Sequence, residues 1–344
     1  MGVPHVPESL PTGKTSFPER SLLPWRSLAF PPDWAAQFAA PTSASLPLHL
    51  EVGFGDGRYT VRRALAAPEE RFVGLEISSV SVQRAVAKVR REGLQNVKLL
   101  KVGATFAVRH LFAPGALSSI TVNFPDPWPK DRHAKNRLLQ RSFFSLAASR
   151  LRPGGEIRLA TDHPEYLAFA RAEGAASGLY RLSEPEVPAA VFETKYALKW
   201  RGQGKPLHYQ VFTYEGTPTP AYPPLERPHT MPHALLSGPL PETPSFSKQV
   251  LPYGDGHVIL HEVARRVGNA ETAEKWLVRV TVDEPDMRQQ LLAVVKRRSG
   301  DELIVRLESF GDPIITKTVR GAVHAVTEWL LSQSAELSVK ERNY

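Results

Sequence analysis

Apolar residues over the first two hundred positions fall into two alternating patterns. Short unbroken runs read as strands buried on both faces, and between them apolar positions recur at helical spacing. Leu48 to Val52 is the first run, followed by a helix-like stretch from Arg58 to Ala67. Phe72 to Ile77 reads as the second strand. Ser78 or Ser79 then caps a helix in which Val82, Ala85, Val86 and Val89 share a face until Gly93 stops it. Val97 to Val102 and Ser119 to Phe124 read as the third and fourth strands. An amphipathic helix over Leu138 to Leu151, a turn at Pro153-Gly154-Gly155 and a fifth strand over Glu156 to Ala160 complete the series. Strand–helix units repeated at this length predict a mostly parallel sheet with helices on both faces, which binds ligands beyond the carboxyl ends of its strands.

A second patterned region begins near Phe246. It predicts strands over His257 to Ala264, Lys275 to Val282 and Glu302 to Glu308, with helices near Met287 to Val294 and over Arg320 to Leu331. That is a small α+β domain. Nine prolines between Gly216 and Ser245 separate it from the first region. Proline fixes φ and cannot donate to a ladder, so this stretch reads as a semi-extended linker. The expected organisation is an N-terminal arm over residues 1–45, a first domain over 46–214, a linker over 215–245 and a second domain over 246–344. Trp25, Trp34 and Phe38 mark a part of the arm that packs down. A length of 344 residues agrees with two domains.

Composition narrows the chemistry. The chain has no cysteine, which excludes disulfide scaffolds, Cys-ligated zinc, iron–sulfur clusters and a thiol nucleophile. No apolar run approaches the length of a membrane span, and Met1 to Ser21 lacks a signal-peptide core, so a cytoplasmic protein is expected. The net charge of +8 is unevenly spread: residues 1–214 carry +10 and the remainder −2. A polyanionic partner for the first domain follows from that surplus. Gly13-Lys14-Thr15 resembles the end of a phosphate loop, but Glu8 stands where its first glycine belongs and no strand precedes it.

Two segments carry candidate chemistry. Glu51-Val52-Gly53-Phe54-Gly55-Asp56-Gly57 closes the first strand, and Glu76 closes the second, 19 residues after Gly57. Glycines let a backbone turn tightly against a cofactor, and a carboxylate at the second strand end accepts ribose hydroxyls. A further acid before the first glycine is unwelcome beside a pyrophosphate. It suits a cofactor with a cationic amino-acid end, such as S-adenosylmethionine; the alternative is an ordinary glycine turn. The fourth strand runs into Asn123-Phe124-Pro125-Asp126-Pro127-Trp128-Pro129-Lys130, a rigid loop placed where a methyl acceptor meets the cofactor. The cations of Asp131-Arg132-His133-Ala134-Lys135-Asn136-Arg137 read as phosphate contacts rather than a solvated helix start. Trp128 reads as loop packing ahead of base stacking. The remaining histidines, among them His208, His229 and His233, show no metal-ligand spacing.

The segments Glu51-Val-Gly-Phe-Gly, Asn123-Phe-Pro-Asp-Pro-Trp-Pro-Lys130, Arg132-His-x-Lys-x-Arg-Leu and Ala160-Thr161-Asp162 resemble the bacterial tRNA (guanine-N7-)-methyltransferase family, as does Glu193-Thr194-Lys195-Tyr196. The resemblance covers residues 46–214, and the long extension is similar to that of thermophile members. It implies a class I S-adenosylmethionine-dependent methyltransferase fold, Rossmann-like with a mostly parallel sheet. It also implies formation of 7-methylguanosine at position 46 in the variable loop of tRNA. Carried over residue by residue, Glu51, Gly53, Gly55, Glu76, Gly103, Ala104 and Asn123 hold the cofactor and Asp126 is catalytic. Lys130, Arg132, His133, Lys135, Arg137, Asp162, Thr194 and Lys195 bind the tRNA. No metal or membrane is expected, and the oligomeric state stays open with a monomer as the default.

Two positions depart from the family pattern. Gly103 replaces an Asp, leaving backbone N–H at the adenine end, and Ala197 replaces the Glu of Thr-x-x-Glu, a carboxylate suited to the guanine edge. Two rival functions are a methyltransferase for another substrate, and a non-catalytic RNA-binding protein of the same fold.

Overall fold

The computed structural model describes residues 20–38, 46–226, 230–242, 244–265, 275–310 and 312–344, so Gly13-Lys14-Thr15 lies outside the described residues. The chain forms two compact units, Met1–Pro224 and Leu225–Tyr344.

In the first unit a segment containing the short helix α1 (Trp34–Gln37) precedes the sheet. The series continues with β1 (Leu48–Val52), α2 (Arg58–Ala66), β2 (Arg71–Glu76), α3 (Ser79–Arg91), β3 (Val97–Lys101), α4 (Ala104–His110) and β4 (Leu117–Asn123). It ends with α5 (Arg141–Ala148), β5 (Leu151–Thr161), α6 (Pro164–Ser177), β6 (Tyr180–Ser183), α7 (Ala189–Phe192), α8 (Lys195–Arg201) and β7 (His208–Tyr214). The strand order is β3-β2-β1-β4-β5-β7-β6. Strands β1 to β5 pair in parallel, whereas β7 runs antiparallel to both β5 and β6. The order reverses between β1 and β4, the switch point at which open sheets of this kind bind ligands.

Local signals account for most boundaries. The Ser78 hydroxyl accepts from the N–H of Ser81 and caps α3, Pro164 opens α6, and Gly178 in the left-handed region closes it. Two expected elements differ. Helix α5 spans only Arg141–Ala148: Leu138 lies at a bend and the buried Leu139 donates its N–H to the Tyr166 hydroxyl at 3.4 Å instead of joining the helix. The turn expected at Pro153-Gly154-Gly155 is a bulge inside β5: Leu117 pairs with Leu151 and Ser119 with Glu156, so Arg152 to Gly155 stand against Ser118.

The arm packs down as its aromatic residues predict. Leu23 donates its N–H to Leu99 and Ser21 accepts from Leu99, a short parallel bridge on the outer edge of β3. The Trp25 indole donates to Lys101 O at 2.9 Å, and the Trp34 indole donates to Leu111 O at 2.7 Å while stacking on Phe112.

Among the described residues the second unit is a seven-stranded antiparallel sheet with one helix on a face. Its strands are β8 (His233–Ser237), β9 (Gln249–Tyr253), β10 (Gly256–Arg265), β11 (Lys275–Asp283), β12 (Arg288–Ser299) and β13 (Glu302–Leu307); α9 (Lys317–Leu331) and β14 (Ser338–Asn343) follow. The order is β14-β8-β13-β12-β11-β10-β9. Helix α9 buries Val319, Val323, Val326 and Trp329 in one core with Val258, Val278, Val280, Ala293 and Val305. Two expectations are corrected here. The segment read as a helix near Met287 to Val294 belongs to β12, where Leu291, Ala293 and Val295 alternate into the core. Strand β8 lies inside the stretch read as linker and pairs on both sides, with β13 and β14.

Candidate active site

Beyond Val52 the chain reverses through three glycines whose φ angles are +73° at Gly53, +54° at Gly55 and +80° at Gly57. Side chains with a Cβ rarely adopt such angles, so the glycine spacing is what makes this turn possible. The N–H groups of Gly53 and Phe54 donate to Leu75 O at 2.8 and 3.2 Å, tying the turn to the end of β2. Lys88 closes it from α3, donating to Asp56 O at 2.7 Å and pairing with the Asp56 carboxylate at 2.8 Å.

Two carboxylates face the resulting cavity, in different surroundings. Glu51 is buried and accepts from the Thr60 hydroxyl and from Asn123 Nδ2 at 3.1 Å. Burial pushes its carboxyl up to about 7 against the opposing pull of those two donors. None of the described residues supplies it with a cationic partner. Glu76 is held by backbone instead: Oε2 accepts from Gly55 N at 3.0 Å, and Oε1 accepts from Ile77 N at 2.8 Å and Ser78 N at 3.0 Å. Those three bonds leave a lone pair on Oε2 for a ligand.

The loop after β4 forms the facing wall. Phe124 and Trp128 both sit at left-handed φ, +51° and +43°. For residues with a Cβ this costs on the order of 1–3 kcal/mol each and persists only when the surroundings impose it. The Phe124 N–H is tied to Ala160 O at 2.7 Å, and Arg137 braces the Trp128 end of the loop. Its Nε donates to Pro127 O at 3.0 Å, its Nη2 donates to Trp128 O at 3.2 Å, and the guanidinium lies 4.8 Å from the Phe169 ring centroid.

The cavity between these walls has a volume of about 620 Å³. Of the residues expected to bind cofactor, Glu51, Gly53, Gly55, Glu76, Ala104 and Asn123 line it, while Gly103 stands just outside as the N-cap of α4. Asp126 lines the same space, as do Thr194 and Lys195 at the start of α8. The expected RNA contacts divide. Lys130, Arg132 and Lys135 are exposed around a 3-10 turn over Asp131–Asn136, and His133 meets the edge of Trp128, with centroids 5.8 Å apart. Asp162 lies away from the cavity lining and pairs with Lys205 at 3.7 Å. Arg137, expected on the RNA, is instead buried as the brace just described. The departure at Ala197 falls outside the cavity lining. That residue is buried and donates its N–H to the Thr194 hydroxyl at 3.1 Å, while Glu193 pairs with Arg62 at 3.2 Å.

Some contributors carried no signal of their own. Thr60, which grips Glu51, falls at an ordinary helical position, and only the three-dimensional turn brings it beneath the carboxylate. Tyr196 lines the cavity with its ring 6.2 Å from that of Phe124. An aromatic residue left 45 % exposed beside a polar site is a ready stacking surface.

The donor and acceptor set fits S-adenosylmethionine. Asn123 Oδ1 is buried without a hydrogen-bond partner at the cavity wall beside Glu51. An orphaned acceptor next to a buried carboxylate is where an ammonium group satisfies both. Glu76 would take the ribose hydroxyls, and the volume lies within the range of small-molecule sites. Among the described residues no three His, Asp or Glu side chains come together as a metal site, and no helix is long and apolar enough to cross a membrane.

Comparison with known proteins agrees with this chemistry. A family model described as a putative methyltransferase matches residues 45–209, and S-adenosylmethionine is the methyl donor. The tRNA (guanine-N(7)-)-methyltransferase of Thermus thermophilus is 41% identical over 291 residues, covering 85% of this chain and 91% of that protein. That of Deinococcus radiodurans is 39% identical over 92% of this chain and 97% of its own length. That of Thermotoga maritima is 28% identical over 92% and 98% respectively. At 41% and 39% identity to the first two relatives over nearly their whole length, the chain belongs to the tRNA (guanine-N(7)-)-methyltransferase family.

Proposed function

We propose that this protein transfers a methyl group from S-adenosylmethionine to N7 of guanine 46 in the variable loop of tRNA, forming 7-methylguanosine. The observation that carries the reading is the joining of two walls in one cavity. One presents Glu51, Asn123 and Glu76 to a cationic, ribose-bearing ligand, and the other holds Asp126 on a braced loop.

Guanine N7 carries an in-plane lone pair and no proton, so the chain needs no general base to create the nucleophile. Held by Glu51, Asn123 and Glu76, S-adenosylmethionine would supply an electrophilic methyl group to that lone pair, with the neutral thioether as the leaving group. What remains for the protein is placement and exclusion of water. Glu51 and Asn123 fix the amino end, and Glu76 fixes the ribose. Gly53 and Gly55 let the backbone approach, and Ala104 with the backbone at Gly103 borders the adenine end. Asp126 orients the purine and offsets the positive charge that develops on it. Phe124 and Tyr196 border the base plane, with Thr194 and Lys195 beside them. Lys130, Arg132, His133 and Lys135 surround the mouth of the loop and take tRNA phosphates.

The test is methyl transfer from labelled cofactor to an unmodified tRNA transcript, followed by nucleoside analysis. 7-Methylguanosine is expected from a transcript with guanine at position 46 and not from one with adenine there. Binding of tRNA without any methylated product would overturn the reading in favour of a non-catalytic RNA-binding role.

A further inference from the structure

The second unit places a cluster of cations where nothing in the methyl-transfer site uses them. Helix α9 covers one face of its sheet and is the only helix of this unit among the described residues. Strand alternation sends His233, Ile304, Arg306 and Lys296 to the other face, since Arg306 pairs with His233 and Lys296 with Ile304 in neighbouring strands. There they border a recess of about 540 Å³ that Arg298 and Met231 also line. The unit as a whole carries no positive surplus, so the concentration is local.

Three cations and one carboxylate, Glu308, line the recess. Lys275 pairs with Glu308 at 2.5 Å, and the fields of Arg306 and Lys296 add to that pairing in holding the Glu308 carboxyl below its ordinary range. A single carboxylate is thus already engaged by a fourth cation. Nearby, Arg298 pairs with Glu302 at 3.4 Å and His233 with Glu341 at 3.4 Å. Arg306 is exposed, and the side chains of Arg298 and Met231 are about half exposed or more. A concave, cation-rich surface with apolar floor residues and accessible guanidinium groups matches a sugar–phosphate backbone, whose charges repeat at close spacing.

We infer that the recess bounded by Lys296, Arg298 and Arg306 on the second unit is a phosphate-binding face that docks the sugar–phosphate backbone of the tRNA substrate. This rests on the proposed tRNA function and extends it, assigning the extension a part in substrate capture. The chemistry reads no sequence, so the contact adds affinity without choosing the base.

The test uses the full chain and unmodified tRNA. Replacing Lys296 and Arg306 together by alanine is expected to weaken tRNA binding roughly tenfold near physiological salt, and to lower the slope of log affinity against log salt by about 2. Turnover at saturating tRNA stays at the parent value. Glu308→Gln works in the opposite direction, removing the one negative charge from the recess, and is expected to tighten binding and steepen the slope. Unchanged affinity and slope in the double variant, or unchanged or weaker binding in Glu308→Gln, would overturn the inference. Equal weakening by a DNA duplex competitor in parent and double variant would also count against it, because a genuine backbone site must lose sensitivity to such a competitor. Absence of 7-methylguanosine from the parent protein would refute the catalytic reading instead, a result separable from the binding data.

Discussion

Replacing Arg137 by alanine isolates the contribution of loop strain to turnover. The substitution removes two hydrogen bonds from a charged donor, at 3.0 and 3.2 Å, and the contact with Phe169. Bonds of that kind contribute about 1.5–3 kcal/mol each, and a cation over an aromatic face adds roughly 0.5–2 kcal/mol. Opposing them is Trp128 at left-handed φ, costing on the order of 1–3 kcal/mol. Without the guanidinium that strain is uncompensated, so the loop relaxes and the competent arrangement becomes a minor state. A net loss of about 3 kcal/mol lowers kcat/KM for tRNA roughly a hundredfold. Cofactor affinity should change less than about threefold, because Glu51 and Glu76 stand on β1 and β2. Arg137→Lys places a single point donor where a planar fork is needed and should recover little, whereas added guanidinium ion should restore part of the activity of the alanine variant. Steady-state kinetics, cofactor titration and the salt dependence of tRNA binding decide the matter. A variant with full kcat, weaker tRNA binding and a salt slope reduced by about 1 would show Arg137 to be a phosphate contact, refuting the brace.

The other expected outcomes concern charge and packing. An ammonium ligand requires Glu51 as carboxylate, so cofactor affinity measured by calorimetry should fall as pH drops below about 7, by up to tenfold per unit, and Glu51→Gln should flatten that profile. In the absence of cofactor the sign reverses. Folded Glu51 keeps its proton up to about 7 while the unfolded chain releases it near 4.5, so stability falls as pH rises between those values and the Gln variant loses that slope. Asp126→Asn should cost about a hundredfold in turnover while leaving cofactor affinity near the parent value; equal losses in both would make Asp126 a cofactor ligand. Gly74→Ala would set a Cβ 2.6 Å from Phe54 Cδ1 and 2.9 Å from Leu99 Cδ2, and should destabilise by about 1–3 kcal/mol in thermal melts. A melting temperature unchanged from the parent would show that Phe54 and the glycine turn can yield.

Much of the first unit was legible because strands buried on both faces read as unbroken apolar runs and their helices show a separate period. That a ligand binds beyond the carboxyl ends of the strands followed from the strand–helix alternation, whereas the reversal of strand order between β1 and β4 is seen only in the folded chain. The misread elements have identifiable causes. Residues 288–299 contain Gln, Leu and Ala, good helix formers, yet pairing with β11 and β13 on either side overrides that preference. Ala234-Leu235-Leu236 is a short apolar run whose proline-rich surroundings hid strand β8. Arg137 is indistinguishable in sequence from the cations before it. Only the closure of the loop turns it inward, which is why a residue expected on the substrate proved to be a structural donor.

The bridge between Leu22 and Leu99 carries a consequence for how the chain survives its own synthesis. Strand β3 is the outer strand of the parallel sheet, and a bare outer strand offers unpaired N–H and C=O groups to any other extended chain. The early segment occupies that position, with Trp25 and Trp34 anchored to carbonyls 76 and 77 residues further along the chain. Its binding site does not exist until β3 and α4 have been made, so it waits, exposing two indoles, while the rest of the unit assembles. Loosening it would uncover the sheet edge without unfolding the core. The first visible defect of a truncated or Trp34-substituted protein should therefore be self-association rather than lost chemistry.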